Sequence, residues 1–432
     1  MNIVMLTNTF TPHVGGVARS VEAFTEEYRK RGHRVLVVAP TFPDMPKHEI
    51  GVVRIPAIQQ FNASDFSVAL PVPGLLTDVL DRFQPDIVHA HHPYLLGMTA
   101  IRIARYRNLP LVFTHHTLYE QYTHYVPGNS PTLRHFVIEL ATRYANLSDQ
   151  VFAPSESIRD LLQKRGVTKP IAVVLTGVKL DHFMTGDGAR VRTQLHIPED
   201  AFVVGHLGRL APEKNLEFLA EAVAAFLKTH NHACFLVVGV GPSEQTIRQV
   251  FSRQGLDTRL HFAGILEATQ LADALHAMDL FAFSSKSETQ GMVLTEAMAA
   301  GLPVVALDAT GVREVVKDRK NGRLLQEETI EVFTAGLQWI VDQPAERLQA
   351  LKHSALETAE IFSLPNTADR ALTCYRALLQ SRIPSALSAS TADKHWEDIL
   401  ELIKAEWDIL KGIAGAANAV LDKDEDSPRI PP

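Results

Sequence analysis

Short apolar runs alternate with stretches of helical periodicity along almost the whole chain. Ile3–Leu6, Val35–Ala39, Ile87–Ala90, Leu111–Thr114 and Gln150–Ala153 are each four to five residues long and rich in β-formers. That length suits a buried strand and is too short for a helix. After the first run, Val17, Val21, Phe24 and Tyr28 recur at i, i+4, i+7 and i+11, which is one apolar helix face, and Gly32 supplies a stop. Strand, helix, strand at this spacing predicts βαβ units and a parallel sheet. The rhythm restarts at Phe202–Leu207 and continues through Cys234–Val238, His261–Ala263, Leu280–Phe283 and Val304–Ala306, with Leu219, Val223 and Phe226 marking another helix face. The pattern predicts an α/β protein of two doubly wound halves in tandem. The join is expected in TGVKLDHFMTGDG, residues 176–188. Ligands bind beyond the carboxyl ends of such strands, so one deep interdomain cleft is expected.

Composition narrows the class without changing that picture. The chain has 432 residues, 46% hydrophobic and 21% charged, which excludes wholesale disorder, collagen-like repeats and a disulfide scaffold. No uncharged apolar run reaches the ~18 residues of a membrane span. Met1–Leu6 already reads as a strand, so no signal peptide is expected. The only cysteines, Cys234 and Cys374, fit a reduced, cytoplasmic compartment. The net charge of −7 is uneven: 17 basic and 14 acidic residues in 1–178 leave +3, and the remainder carries −10. An acidic chain is not an expected nucleic-acid binder, whereas a mildly positive first half suits an anionic partner.

Candidate chemistry clusters where strands end. The first strand runs into His13-Val14-Gly15-Gly16-Val17-Ala18-Arg19, where paired glycines at a helix start let backbone approach an anion. A tight turn needing positive φ is the plain alternative. Gly208-Arg209-Leu210-Ala211-Pro212-Glu213-Lys214-Asn215 sets two cations five residues apart at a helix start, able to grip a diphosphate from two sides or to sit as solvated surface charges. Ser287-Glu288-Thr289-Gln290-Gly291-Met292-Val293-Leu294-Thr295-Glu296 places Glu288 on a loop and Glu296 in a helix, with free backbone N–H groups between. Seven of 19 histidines, at 89, 91, 92, 115, 116, 124 and 135, crowd one stretch. They lack Cys or paired carboxylates at ligand spacing, so no metal site is expected. His115 and His116 lie at a strand end and suit a catalytic or substrate-orienting role. A satisfied structural role is the alternative for His89 and His135. Gly239-Val240-Gly241 is followed by Glu244, so the dinucleotide fingerprint is incomplete and a dehydrogenase is disfavoured.

Taken in order, TNTFTPHVGGVARSV, PDIVHAHHP, TGVKLDHF, GRLAPEKN, HFAGIL and ETQGMVLTE resemble the retaining glycosyltransferases of family 4, which have the GT-B fold. The resemblance spans about Met1 to Ser381. It implies an acceptor-binding Rossmann-like domain over 1–178, a nucleotide-sugar domain over 179–372, and a helix over 373–383 crossing back to the first domain. It implies that Gly15 and Gly16 approach the diphosphate and sugar, and that Arg209 and Lys214 neutralise the leaving diphosphate in place of a metal. Glu288 would bind sugar hydroxyls, and Gln290, Gly291, Met292 and Val293 would offer backbone donors. Glu296 would hold the ribose, Gly264 to Leu266 the base, and His116 would be the family's cleft histidine. No cofactor or metal is expected beyond the donor.

The segment HTLYEQYTHYVP is similar to bacterial enzymes that glucosylate diacylglycerol. The expected reaction is therefore hexose transfer, with glucose from a UDP-sugar as the leading case, to a lipid hydroxyl. Arg19, His91, Tyr119, Tyr122 and His124 would lie on the acceptor side. Peripheral docking on an anionic membrane's inner face is expected through Arg102, Arg105 and Arg107. The alternatives are a soluble sugar or alcohol acceptor, or a silent nucleotide-sugar-binding protein. Residues 384–432 fall outside the pattern. They comprise a small polar linker, PSALSAST, and an acidic amphipathic helix followed by a tail that reads as disordered.

Overall fold

The structure is a computed structural model that describes residues 1–13, 15–58, 68–69, 76–121, 131–266 and 268–382. Tyr122, His124 and the 384–432 segment lie outside the described residues. The chain divides into two units: Met1–Leu175 with the chain from Thr367 onward, and Thr176–Asn366.

The first unit is built on strands β1 (Asn2–Leu6), β2 (Arg34–Pro40), β3 (Val52–Ile55), β6 (Ile87–Ala90), β7 (Leu111–Thr114), β8 (Gln150–Ala153) and β9 (Ile171–Val173). They form one sheet in the order β3-β2-β1-β6-β7-β8-β9, and every pairing is parallel. Two short strands, β4 (Ala57–Ile58) and β5 (Val68–Ala69), pair antiparallel beside it. Helices α1 (Gly16–Lys30), α2 (Thr77–Phe83), α3 (Leu96–Tyr106), α4 (Pro131–Leu147) and α5 (Glu156–Lys164) make the crossovers. Helices cover both faces, which is why the strands read as continuous apolar runs rather than alternating ones. Val4, Leu6, Val88, Ala90 and Phe113 bury one face against Ala100, Ile101 and Tyr144. Val21, Phe24 and Tyr28, the face predicted for α1, are all buried.

The second unit repeats the plan with β10 (Phe202–Leu207), β11 (Ala233–Val238), β12 (Leu260–Gly264), β13 (Leu280–Phe283), β14 (Val304–Leu307) and β15 (Gly322–Leu325), ordered β12-β11-β10-β13-β14-β15 and parallel throughout. Its helices are α6 (Gly188–Gln194), α7 (Leu216–Thr229), α8 (Glu244–Arg253), α9 (Ala268–His276), α10 (Met292–Ala299), α11 (Ile330–Val341) and α12 (Ala345–Ile361). Helix α13 (Leu364–Arg382) then enters the first unit. There Tyr375 is fully buried, its ring 5.8 Å from Phe152 and 5.9 Å from Tyr28. No helix among the described residues is long and apolar enough to cross a membrane.

Each sheet has one switch point where the strand order reverses, between β1 and β6 and between β10 and β13. The loops leaving adjacent strands part there and open a crevice at the carboxyl ends. His13 to Arg19, His91, His92, Arg209, Lys214 and Glu288 follow those strands, whereas His116 follows the neighbouring β7 and Gly264–Leu266 lie at the end of β12.

Candidate functional site

In the second unit the loops after β10 and β13 are laced together. Ser284 Oγ donates to the carbonyls of Asn215 (2.9 Å) and Lys214 (3.1 Å), and Ser287 Oγ donates to that of Glu213 (3.3 Å). Across this seam Lys214 Nζ lies 2.6 Å from Glu288 Oε1, which also accepts from Ser285 Oγ at 2.8 Å. Both charged side chains are mostly buried, 17% and 16% exposed, so the pair is held in place rather than free in solvent. Asn215, left-handed at φ 56, ends the Pro212–Lys214 turn and caps α7, which puts Lys214 where the chain reverses. Asn215 Nδ2 is tied to Glu328 at 2.6 Å, and Lys286 pairs with the same carboxylate. Arg209 is exposed at the mouth of the loop.

The floor of this crevice is made of backbone. A Cβ on Gly239 would lie 2.0 Å from the Gly208 carbonyl, and one on Gly241 would lie 2.3 Å from that of Leu210. Gly239 N–H donates to the Gly264 carbonyl at 2.8 Å, which draws the ends of β11 and β12 together. Gly264 and Leu266 are half-buried there. Gly291, at φ 75, caps α10 and turns the chain so that the helix begins four residues after Glu288, at Met292. Met292 and Val293 form the first turn of α10, and Glu296 is buried one turn further along. The Gln290 side chain is committed elsewhere: its amide donates to the Thr176 carbonyl at 2.8 Å and accepts from the Thr176 N–H. Only its backbone remains for a ligand. His206, at the end of β10, stacks on Phe281 and Phe283 and bonds the Ala282 carbonyl through Nδ1 at 3.1 Å. Burial pushes its ring down to about 4, so it is neutral at pH 7.

In the first unit the histidines gather beyond β6 and β7. His89 is the satisfied structural one, with Nε2 2.6 Å from Thr114 Oγ1 and Nδ1 2.6 Å from the Tyr375 hydroxyl. His91 Nδ1 lies 2.8 Å from His116 Nε2, and the two rings stack at 5.1 Å. His91 thus braces His116 directly, while its own Nε2 is buried without a hydrogen bond. His92 Nδ1 accepts from the Asn8 N–H at 3.1 Å. His115 is 1% exposed and neither ring nitrogen has a partner. Burial pushes His89, His92, His115 and His116 down to about 3 and His91 well below its usual value, so the cluster is uncharged at neutral pH. Tyr119, on the Tyr119–Gln121 turn, packs against Tyr94 and His115 with its hydroxyl buried.

Gly15 is extended at φ −170, so the paired glycines do not make a positive-φ turn. A Cβ at Gly15 would sit 3.1 Å from His13 Nε2, so the position keeps room for that ring. Two of the three arginines of the expected docking face make contacts within the unit. Arg107 pairs with Asp81 at 2.6 Å and Arg105 donates to the Leu147 carbonyl at 2.9 Å. Arg19 is exposed on the first turn of α1. Sequence reasoning missed His206, the Gln290–Thr176 brace and the Tyr375–His89 bond. The first two carried no local signal, and the third links residues 286 positions apart.

Comparison with known proteins follows the same division. The profile described as Glycosyltransferase Family 4 matches residues 14–182, and that described as Glycosyl transferases group 1 matches residues 188–357. The alpha-monoglucosyldiacylglycerol synthase of Streptococcus pneumoniae is 29% identical over 330 residues, 75% of this chain and 75% of that one. A GDP-mannose-dependent alpha-mannosyltransferase of Mycolicibacterium smegmatis is 30% identical over 342 residues, 77% of this chain and 86% of that one. Among solved structures, Anabaena HepE in complex with UDP and glucose has a TM-score of 0.68 at 24% identity, covering 87% of this chain and 99% of that one.

Proposed function

We propose, from the premise that this chain belongs to the family 4 glycosyltransferases of the GT-B fold, that it moves glucose from UDP-glucose to the free hydroxyl of diacylglycerol with retention at the sugar. The observation that carries the donor half of this reading is the Lys214–Glu288 pair, held by serines at the start of α10. An incoming diphosphate offers Lys214 a stronger anionic partner than a single carboxylate, with Arg209 as a second cation. Glu288, released from Lys214, then accepts hydrogen bonds from sugar hydroxyls. The α10 N–H groups and the two cations favour the charge that builds on the leaving diphosphate, without a metal ion. Glu296, buried on α10, is assigned the ribose, and the Gly264–Leu266 backbone the base.

The acceptor half rests on the first unit. Its buried rings are neutral, and neutral imidazoles with Nε2 or Nδ1 lone pairs suit an uncharged hydroxyl better than an anionic acceptor. Diacylglycerol is uncharged, and a diacylglycerol-linked product stands in the name of the pneumococcal relative. The mannosyltransferase relative supports a second donor reading, GDP-mannose. The test is transfer from a panel including UDP-glucose and GDP-mannose, with and without diacylglycerol micelles, in EDTA. Product from UDP-glucose only when diacylglycerol is present is expected. Transfer only from GDP-mannose, or only to soluble alcohols, overturns the assignment. Complete loss in EDTA that Mg²⁺ restores overturns the metal-free mechanism.

A further inference from the structure

Between β1 and α1 the described residues 7–13 and 15 carry no regular structure, yet Phe10 and Thr11 are clamped by one side chain. Arg54 sits on the edge strand β3, in register with Ala39 of β2. Its Nη2 donates to the Thr11 carbonyl at 2.5 Å, and its Nη1 donates to the Pro40 carbonyl, at the end of β2, at 2.9 Å. Glu49 takes the remaining edge of the guanidinium, with Nε to Oε2 at 2.6 Å and Nη2 to Oε1 at 2.7 Å. The guanidinium also lies over the Phe10 ring, 5.4 Å from its centroid. Arg54 and Glu49 are only 10% and 12% exposed. Beyond the clamp, the His13 N–H closes back on the Phe10 carbonyl at 3.0 Å, and the His13 ring stacks on Phe42 at 5.6 Å. The order along the chain is thus clamp at Phe10–Thr11, stacked His13, then the Gly15–Gly16 helix start.

We propose that Arg54, oriented by Glu49, is a positioning residue that fixes the Phe10–His13 segment ahead of the α1 start for glycosyl transfer. The inference rests on the reading of Gly15 and Gly16 as approaching the reacting sugar. Four of the five guanidinium N–H groups are spent on carbonyls and a carboxylate, a fork that only arginine supplies. A lysine keeps the charge but can hold the Thr11 carbonyl, the Pro40 carbonyl or Glu49, not all three in one plane. The loop then samples neighbouring positions, and small displacements of groups that orient a reacting centre cost rate steeply.

The experiment compares wild type, Arg54→Lys, Glu49→Gln and Arg192→Lys. Arg192 is the control, a clamp of the same kind in the second unit. It bonds the carbonyls of Glu199, Ala201 and Ala277 and pairs with Asp279 at 3.0 Å, at the amino-terminal edge of that sheet and far along the strands from the loops described. For each protein, kcat and KM for transfer, the UDP dissociation constant and the melting temperature are measured. Arg54→Lys is expected to lower kcat tenfold or more, equivalent to about 1.4 kcal/mol. Its UDP affinity is expected to stay within threefold, because Arg209, Lys214 and Glu296 are intact. Glu49→Gln, which keeps the shape and loses the charge, is expected to fall between wild type and Arg54→Lys. Arg192→Lys is expected to lose melting temperature but not kcat. The proposal is overturned by a kcat within twofold of wild type for folded Arg54→Lys, or by an equal kcat loss in Arg192→Lys. If Arg54→Lys does not fold, Glu49→Gln with unchanged kcat overturns it. Absence of transfer by the wild type from every donor tested counts instead against the reading of the reaction.

Discussion

Acidification from pH 7.5 to 5.5 is expected to destabilise the first unit selectively. His89, His91, His92 and His115 are 4%, 2%, 5% and 1% exposed and are held neutral by burial, three of them at about 3. The neighbouring charges reinforce this, since Arg165 and His116 also disfavour a proton on His115, and His116 and His13 disfavour one on His92. His92 Nδ1 must stay unprotonated to accept from the Asn8 N–H. In the unfolded chain each ring titrates near 6.5. Above that value the rings are neutral in both states and stability is at its full level. As pH falls below it, the unfolded state binds protons that the folded state refuses, so stability falls until the folded value is reached. At pH 5.5 each ring costs on the order of 1 kcal/mol, and the four together cost several kcal/mol, against a typical domain stability of about 5–15 kcal/mol. The second unit has one comparably buried ring, His206, and its depressed carboxylates, Asp318 and Glu328, matter only below the usual carboxylate range. Urea titrations between pH 7.5 and 5.0, read by hydrogen exchange on peptides from each unit, measure this. Protection should vanish first in β1, β6 and β7, while β10 and β11 stay protected. A first-unit midpoint that does not move between pH 7.5 and 5.5 refutes the reasoning.

Lys214→Ala should lower turnover by roughly a hundredfold, about 3 kcal/mol, if the ammonium faces charge on the leaving diphosphate. Because Ser285 still donates to Glu288, the loss of folding stability should be far smaller, and a near-normal kcat would reduce Lys214 to a structural partner of Glu288. Glu288→Gln is the cleaner probe of the carboxylate, since it does not leave Lys214 facing a void. It should abolish transfer while UDP still binds in calorimetry, and an equal loss of UDP affinity would place Glu288 at the nucleotide instead.

The alternation of short β-rich runs with amphipathic stretches was enough to determine the strands at both sheets' centres and the doubly wound class. Periodicity is a local property, and burial on both faces leaves a continuous apolar run that is legible residue by residue. The glycine-bearing loops and the Lys214 and Glu288 positions were legible for the same reason, because they follow strand ends directly. What tertiary structure alone decided is which of these groups meet. Lys214 and Glu288 are 74 positions apart, and only the β10–β13 switch point brings them to 2.6 Å. His91 and His116 meet because β6 and β7 are neighbours, and that contact sets His91, expected on the acceptor side, against His116, the expected cleft histidine. Arg54 reads in the sequence as one arginine in a short edge strand. Its importance lies in carbonyls on other segments, and backbone acceptors are the same for every residue type, so no sequence pattern announces them.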